Sequence, residues 1–149
     1  MSFILGQMPE YGEAQAEIDR LAKGWETEIQ EMYKEIEQME ADLKAEEILL
    51  TVAMKNDRRA EIDRKMQELK EYQKKIFGFE GLYFLKKKEL IKPAQDLVFE
   101  ATERVAKNNR LAIVFDKSGD LVMIYTDPVH DYTDLVLEEL GILKDQTSN

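Results

Sequence analysis

Residues 25–50 read WETEIQEMYKEIEQMEADLKAEEILL, and this stretch decides the fold. Its apolar side chains recur at alternating spacings of four and three residues, and the pattern extends back toward the N-terminus. The full seam comprises Tyr11, Gln15, Ile18, Ala22, Trp25, Ile29, Met32, Ile36, Met39, Leu43, Glu46 and Leu50. An average spacing of ~3.5 residues is typical of a left-handed coiled coil. The pattern predicts one long helix from about Pro9, which suits a first helical turn, to the low fifties.

A second stretch continues the seam after a short interruption. Its members are Ile62, Met66, Leu69, Gln73 and Ile76, again spaced four and three. Two architectures are compatible with this pattern. In one, the chain turns near Asn56-Asp57, and Gly78 and Gly81 kink the returning helix. In the other, a single helix runs from Pro9 to Ile76 and turns at the glycines.

The distribution of charge favours the first architecture. Residues 10–50 carry a net charge of −9, residues 51–92 carry +5, and residues 93–149 carry −6. A turn near Asn56 lays the acidic segment against the basic one. Each exposed ion pair contributes only ~0.2–1 kcal/mol, so the charges select the pairing more than they stabilise it. We therefore predict an antiparallel helical hairpin over residues 10–107, with its tip near 52–58 and a kink near 78–81.

The returning helix continues beyond the kink to Asn108-Asn109. Its helix-spaced apolar positions are Leu90, Ala94, Leu97, Ala101 and Val105. Pro93 falls among them, where a proline fits only a helix start or a bend.

The remaining chain predicts a small β-rich body formed by residues 1–9 and 108–143. Residues 111–115 and 121–125 are rich in β-formers and flank a glycine-containing loop, which indicates a β-hairpin. Because a two-stranded hairpin is marginal alone, Phe3-Ile4-Leu5 or a symmetric oligomer is expected to complete the sheet. Asp131 or Thr133 then caps a short helix, 134–140, which Gly141 ends. Residues 144–149 are expected to form a frayed tail.

Composition and net charge exclude several kinds of site and partner. The chain has 149 residues, a net charge of −10 and no cysteine, which excludes disulfides, thiolate metal sites and cysteine nucleophiles. An acidic surface repels nucleic acid, so no nucleic-acid partner is expected. No apolar run approaches the ~18–20 residues that span a bilayer, so no membrane insertion is expected. The first residues lack a signal peptide's features, so the chain is either cytosolic or has lost a signal.

Catalytic and metal-binding motifs are weak. The single histidine, His130, adjoins Asp131, but no cysteine or suitably placed serine completes a nucleophilic site. Residues 116–120 resemble a fragment of a calcium loop without its later glutamate, and a hairpin turn is favoured. The Gly78 and Gly81 spacing lacks the flanking motif of a phosphate loop. We expect no enzyme activity, no metal and no cofactor.

An apolar patch precedes the predicted tip. In the heptad register, Leu50 and Ala53 face the seam, whereas Ile48, Leu49, Val52 and Met54 point elsewhere. Such a patch at the end of a long arm is costly unless it contacts something. It either closes the tip, meets another subunit or binds a partner.

Several segments carry a family resemblance that covers most of residues 8–141. They are Met8-Pro9-Glu10-Tyr11 with Ala14, the acidic helix Trp25–Leu50, Phe77-Gly78-Phe79-Glu80-Gly81, Leu90-Ile91-Lys92-Pro93, Ala101–Ala106, Val114-Phe115-Asp116, and the block from Asp131 through Val136-Leu137 to Leu140-Gly141. In these segments the chain resembles the Skp/OmpH-like chaperones, which hold unfolded outer-membrane proteins in the bacterial periplasm. The phenylalanine-glycine segment and Lys92-Pro93 resemble Bacteroidetes-type members.

The resemblance implies a jellyfish-like homotrimer, in which three helical-hairpin tentacles project from a β-rich body and clients sit between them. It also implies a hairpin tip near Asn56, sheet partners from the other chains, and a periplasmic location after removal of a signal peptide. Two features depart from the family: the apolar strand before Phe3-Ile4-Leu5 is short or missing, and the chain is acidic where the familiar enterobacterial member is basic. No lipopolysaccharide-binding residues are therefore carried over.

These observations lead to an ATP-independent holdase for unfolded outer-membrane β-barrel proteins as the first hypothesis. The expected client-binding residues are Ile48, Leu49, Val52 and Met54 at the tip, with off-seam Leu21 and Tyr33 lining the arm, while Gly78 and Gly81 are the expected hinge. The alternative hypothesis is a structural coiled-coil scaffold that docks one specific folded partner.

Overall fold

The computed structural model of the chain describes residues 1–143, and the tail predicted for residues 144–149 lies outside this part. Five α-helices occur in the order α1 (Ser2–Gly6), α2 (Pro9–Glu46), α3 (Val52–Phe77), α4 (Leu82–Asn108) and α5 (Thr133–Glu139). Short 3₁₀ turns lie at Glu47–Leu49 and Pro128–His130. The chain divides into an arm unit, residues 17–87, and a body unit, residues 1–16 together with the described residues from 88 onward.

The arm unit has its core between α2 and α3. Ile29 and Ile36 of α2 are buried in one cluster with Ile62 and Leu69 of α3. The half-buried side chains around this cluster are Met32, Met39, Leu43, Met66 and Tyr72. All but Tyr72 occupy the predicted seam, so the heptad pattern correctly identified the face on which α2 and α3 pack.

Polar contacts along the same face show that α2 and α3 are antiparallel. The Arg58 guanidinium lies 2.8 Å from the Glu46 carboxylate, and the Lys65 ammonium lies 3.0 Å from that of Glu35. Farther along, the Tyr72 hydroxyl donates to Glu28, and this bond raises the pKa of Tyr72. The residue numbers of the three partners fall on α2 as they rise on α3, so the helices are antiparallel. The two ion pairs join acidic residues of the first segment to basic residues of the second. The pairing inferred from charge is confirmed.

The turn between α2 and α3 lies earlier than the sequence indicated. The chain leaves α2 at Glu46, makes the 3₁₀ turn and becomes extended at Leu50. The Thr51 side chain then accepts a hydrogen bond from the Met54 amide at 3.2 Å and caps α3. The turn predicted at Asn56-Asp57 is therefore wrong, because both residues continue a helix that Thr51 has already started.

A second break separates α3 from α4 at residues 78–81. A Cβ at Gly78 would lie 2.2 Å from the Lys74 carbonyl oxygen, and one at Gly81 would lie 2.5 Å from that of Ile76. Both amides are hydrogen-bonded, Gly78 to the Lys74 carbonyl and Gly81 to the Gly78 carbonyl. Glu80 between them has a φ of 51°. Glycine is needed here because the backbone returns too closely on itself to admit a side chain.

The body unit packs around α4. Its buried residues are Ile4, Leu5, Met8, Ala94, Val98, Ala101, Val105, Val136 and Leu137. Phe3-Ile4-Leu5 is therefore part of a helix, α1, and the strand predicted there is wrong, because Ile4 and Leu5 are buried on consecutive helical positions. On α4, Val98 is buried in place of the predicted Leu97, which is exposed. Pro93 lies inside α4, so it does not mark a helix start.

The predicted β-hairpin is absent from residues 1–143. Residues 111–115 and 121–125 form no strand, although α4 ends at Asn108 as expected. An isolated two-stranded hairpin is marginal in water, and this single chain supplies no third strand beside it. The terminal helix forms where it was predicted, and Gly141 follows its end with a φ of 73°. The predicted cap is wrong: Tyr132 occupies the N-cap position without a side-chain cap bond, and Thr133 is already helical. Asp131, one residue earlier, accepts bonds from the Thr133 amide and hydroxyl.

Candidate functional site

Four apolar side chains at the α2–α3 turn, here called the tip patch, are open to solvent. Ile48 is 97% exposed and Leu49 83%, both in the 3₁₀ turn, while Val52 is 74% and Met54 48% exposed at the start of α3. Leu50 is half-buried, although Ala53 is exposed where the register placed it on the seam. The tip patch thus brings together four of the six residues predicted to bind a partner.

Charged pairs border the tip patch. The Lys55 ammonium lies 4.0 Å from the Glu47 carboxylate, and Arg58 binds Glu46 just below. The Arg58–Glu46 pair joins α3 to α2 and the Lys55–Glu47 pair joins α3 to the 3₁₀ turn, while the apolar side chains between them remain exposed. The tip patch is therefore an apolar surface whose neighbouring ion pairs carry no net charge.

The other two predicted binding residues lie away from the tip. Tyr33 is exposed on α2, and its hydroxyl accepts a hydrogen bond from the Gln73 amide at 3.5 Å. Leu21 is half-buried on the same helix. At ~1.5 Å per residue, Tyr33 stands ~20 Å and Leu21 nearly ~40 Å from the end of α2. They can extend a binding surface along the arm but do not belong to the tip patch.

An aromatic cleft at the α3–α4 break escaped the sequence reasoning. A cavity of about 430 Å³ is lined by Ile76, Phe77, Phe79, Glu80, Tyr83 and Phe84. Phe77 packs edge-on against Trp25 of α2 with ring centres 6.3 Å apart, and its ring centre lies 5.7 Å from that of Tyr83. Phe79 is 96% exposed. The sequence does carry a signal for this cleft, because four aromatic residues lie within residues 77–84.

A second exposed apolar surface follows α4. The side chains that share it are Ile113, Val114, Phe115, Leu121, Val122, Met123, Ile124 and Tyr125, all exposed. We call this group the apolar loop segment. Contiguous exposed apolar residues mark interaction surfaces, so the apolar loop segment is a candidate interface.

The residues considered for catalysis do not assemble. His130 is exposed in the 3₁₀ turn. The carboxylate of Asp131 is bonded to the Lys117 ammonium at 2.5 Å and to Thr133, rather than being directed at the imidazole. Asp116 accepts from the Ser118 amide at 3.0 Å, as in a turn that closes on itself. Among residues 1–143, no group of three or more potential metal-ligating side chains occurs.

Within residues 1–143, Asp131 is one of two acids, with Asp116, whose pKa is lowered to about 2. The Lys117 hydrogen bond, aided by those from Thr133, lowers the pKa of Asp131 to about 2. Since the unfolded value is ~3.9, the ionised carboxylate stabilises this loop above about pH 4. That contribution is lost as the pH falls through the folded value.

We expect Lys117→Met to raise the Asp131 pKa toward its ordinary range, because the largest stabilising partner of the carboxylate is removed. The Thr133 bonds should keep the value slightly low. Carboxyl carbon shifts recorded by NMR between pH 6 and about 1.5 measure this directly. Lys107→Met, which removes the exposed partner of Glu103, is the matched control and should leave Asp131 unaltered. An Asp131 pKa that is unchanged in Lys117→Met would contradict the assignment.

None of the helices in the part of the chain that the structure describes is both long and apolar enough to cross a membrane. Comparison with the curated proteins finds no match for this chain. The family described as outer membrane protein (OmpH-like), in contrast, matches residues 1–140. Members of this family are periplasmic chaperones of outer-membrane proteins and are not enzymes. With nearly its whole length matched and its long helices paired as a hairpin, the chain belongs to the OmpH-like (Skp/OmpH) family.

Proposed function

We propose that the chain is an ATP-independent holdase that binds unfolded outer-membrane β-barrel proteins in the periplasm and prevents their aggregation. Three copies would form a homotrimer whose helical-hairpin arms enclose the client. Family membership supports the general chaperone role. The observation that carries the mechanism is the tip patch, in which Ile48 and Leu49 are almost fully exposed at the end of a paired arm.

The proposed contacts are numerous and individually weak. The tip patch would cover apolar side chains of the client, and Tyr33 and Leu21 would add contacts along α2. Because each contact is weak, a client that folds and buries its own apolar side chains breaks its contacts with the arm. Release then needs no nucleotide, and the binding energy stays below the energy that the client gains by folding.

Suppression of aggregation tests the proposed function. An unfolded β-barrel protein is diluted from denaturant with increasing amounts of the chain, and light scattering is followed. We expect suppression at stoichiometric amounts, with no dependence on added ATP. A well-folded preparation that leaves the scattering unchanged would overturn the holdase proposal.

The apolar loop segment supports the proposed trimer. Its exposed β-formers lack partners within the described chain, and strands from neighbouring copies would supply the edges that a lone hairpin lacks. Association through this segment would also bury apolar area that is otherwise unfavourable in water.

Ile124→Lys is expected to convert the trimer to monomers, because a lysine in a shared sheet core would be buried without a partner. Asp120→Lys, in the exposed loop between the two apolar stretches, is the matched control and should leave the trimer intact. Multi-angle light scattering distinguishes one from three chains of 17.4 kDa. A monomeric parent protein, or a trimeric Ile124→Lys variant, would contradict this assembly.

Gly78 and Gly81 are proposed as the hinge of the arm, since a few loop residues can absorb the backbone rotation of a hinge motion. Their hydrogen-bonded amides make the proposal measurable. Hydrogen exchange at these two amides should be at least ~10-fold faster than at Leu69, in the middle of the arm core. Equally slow exchange at all three positions would identify a static break.

The alternative function is a structural scaffold whose tip docks one folded protein. The same exposed tip patch would serve it, because small apolar patches also anchor specific interfaces. A scaffold should form a complex of fixed stoichiometry with a folded partner and should bind unfolded chains weakly.

A further inference from the structure

The aromatic cleft, whose lining includes one charged residue, Glu80, lies within a locally basic stretch of the chain that we call the basic rim. Residues 74–87 contain four lysines, Lys74, Lys75, Lys86 and Lys87, and one acidic residue, Glu80, for a net charge of +3. All four lysines are exposed. This local balance is opposite to that of the chain as a whole, which carries −10.

Two of these lysines lie one helical turn from aromatic residues of the cleft. Lys74 precedes Phe77 by one helical turn, and its Cγ lies 3.1 Å from the point where a Cβ of Gly78 would sit. Lys87 follows Tyr83 and Phe84 by one turn of α4, so the three share a helix face. Lys74 and Lys87 therefore lie within one helical turn of the aromatic lining, on α3 and α4 respectively.

The cavity is of the right size for an aromatic side chain. An apolar cavity of ~150 Å³ already admits benzene, so the 430 Å³ cleft accommodates a phenyl or phenol ring with its backbone attachment. Phe79 and Phe84 are exposed, while Phe77 is oriented by its edge-on contact with Trp25. Rings held in this way offer both faces and edges to an incoming ring.

We propose that the aromatic cleft is a second client site, which takes one aromatic side chain from an unfolded segment whose neighbouring residues are aspartate or glutamate. The carboxylates would face Lys74 and Lys87 while the ring enters between Phe79 and Phe84. An uncharged apolar segment would not use the basic rim, and a basic segment would be repelled by it. The inference rests on the proposed holdase function and names the class of segment recognised.

A peptide assay tests this site independently of aggregation. The probe is a dye-labelled Gly-Ser peptide with a central Phe flanked on each side by Asp residues, and anisotropy measures its affinity for the full chain. Matched peptides carry Ala in place of Phe, or Lys in place of Asp. Trp25, the single tryptophan and a neighbour of Phe77, reports occupancy of the cleft by its fluorescence.

Phe79→Ser should weaken binding of the acidic Phe peptide about tenfold, the effect of losing one aromatic partner and its buried area. Phe99→Ser, which changes an exposed phenylalanine of α4 that belongs neither to the cleft nor to the tip patch, is the matched control and should leave the affinity unaltered. Combined Lys74→Gln and Lys87→Gln should weaken binding several-fold at low salt and remove most of its salt dependence. Circular dichroism checks that each variant keeps the helix content of the parent.

Any of the following results would overturn the proposal: equal affinity for acidic and basic peptides, unchanged affinity in Phe79→Ser, or a Trp25 signal that follows self-association instead of added peptide. Loss of peptide binding in Ile48→Ser would also overturn it, because the peptide would then occupy the tip. If the chain suppresses aggregation but fails this assay, only the aromatic site is rejected. If the peptide binds but aggregation is not suppressed, the holdase role is rejected instead.

Discussion

Simultaneous replacement of Ile48, Leu49, Val52 and Met54 by serine is expected to weaken binding of an unfolded β-barrel protein by roughly 30- to 1000-fold. Complete burial of such a side chain is worth ~1.5–3 kcal/mol, and contact with a flexible client realises about a third of this at each position. Four positions then contribute ~2–4 kcal/mol. Because these side chains are largely exposed, their replacement should change the free energy of unfolding of the chain only slightly.

The control for this variant changes four exposed residues of α3 to serine: Asp57, Arg59, Glu61 and Arg64. It introduces the same number of serines with no change in net charge and no loss of apolar surface. Client affinity is measured by titrating labelled, unfolded protein, and circular dichroism verifies helix content. Equal affinities of the tip variant, the control and the parent would remove the tip patch from the mechanism.

The second large effect concerns the arm core. Leu69→Ala should lower the free energy of unfolding of the arm unit by ~2–5 kcal/mol, because a fully buried side chain is lost and a cavity remains. Leu69 packs with Ile29, Ile36 and Ile62, so its removal affects the contact between α2 and α3 directly. Urea titration followed by Trp25 fluorescence reports on this unit, since Trp25 lies within it.

Lys70→Ala is the neighbouring control, because Lys70 is exposed and its replacement should change stability by no more than about 0.5 kcal/mol. A destabilisation below ~1 kcal/mol in Leu69→Ala would mean that the seam contributes little to holding the arm together.

The arm was predictable because its interactions repeat. Each heptad of the seam supplies the same information, so isolated polar members such as Gln73 did not obscure it. The charge of the two segments then selected the hairpin, and the Glu46–Arg58 and Glu35–Lys65 pairs are its physical basis. The position of the turn was missed by a few residues because one side chain determines it: Thr51 caps α3 before Asn56 is reached.

The body was less predictable because its conformation depends on distant partners. Ile4 and Leu5 have strong β-propensity neighbours and read as a strand, yet α4 and α5 offer them a helical packing site. Residues 111–125 have the composition of paired strands but no partner within residues 1–143. Local sequence preference cannot report a partner that another element or another chain must supply.

The two candidate sites also differ in how far the sequence predicts them. The tip patch could be predicted, because the heptad register alone assigns Ile48, Leu49 and Val52 to positions off the seam. The aromatic cleft could not be derived by that reasoning, since Trp25 and Phe77 are far apart in sequence and meet only when α2 and α3 pair. The glycines indicated the break, whereas the cavity formed by the rings around it required the three-dimensional structure.

The most direct measurement of the central claim compares two dissociation constants for one β-barrel protein, first unfolded in dilute denaturant and then folded in detergent micelles. A holdase that binds apolar side chains of its client should bind the unfolded form at least ~100-fold more tightly. Folding buries those client side chains and so removes the surface that the holdase contacts. Equal affinities, or tighter binding of the folded protein, would contradict the holdase account and support the scaffold.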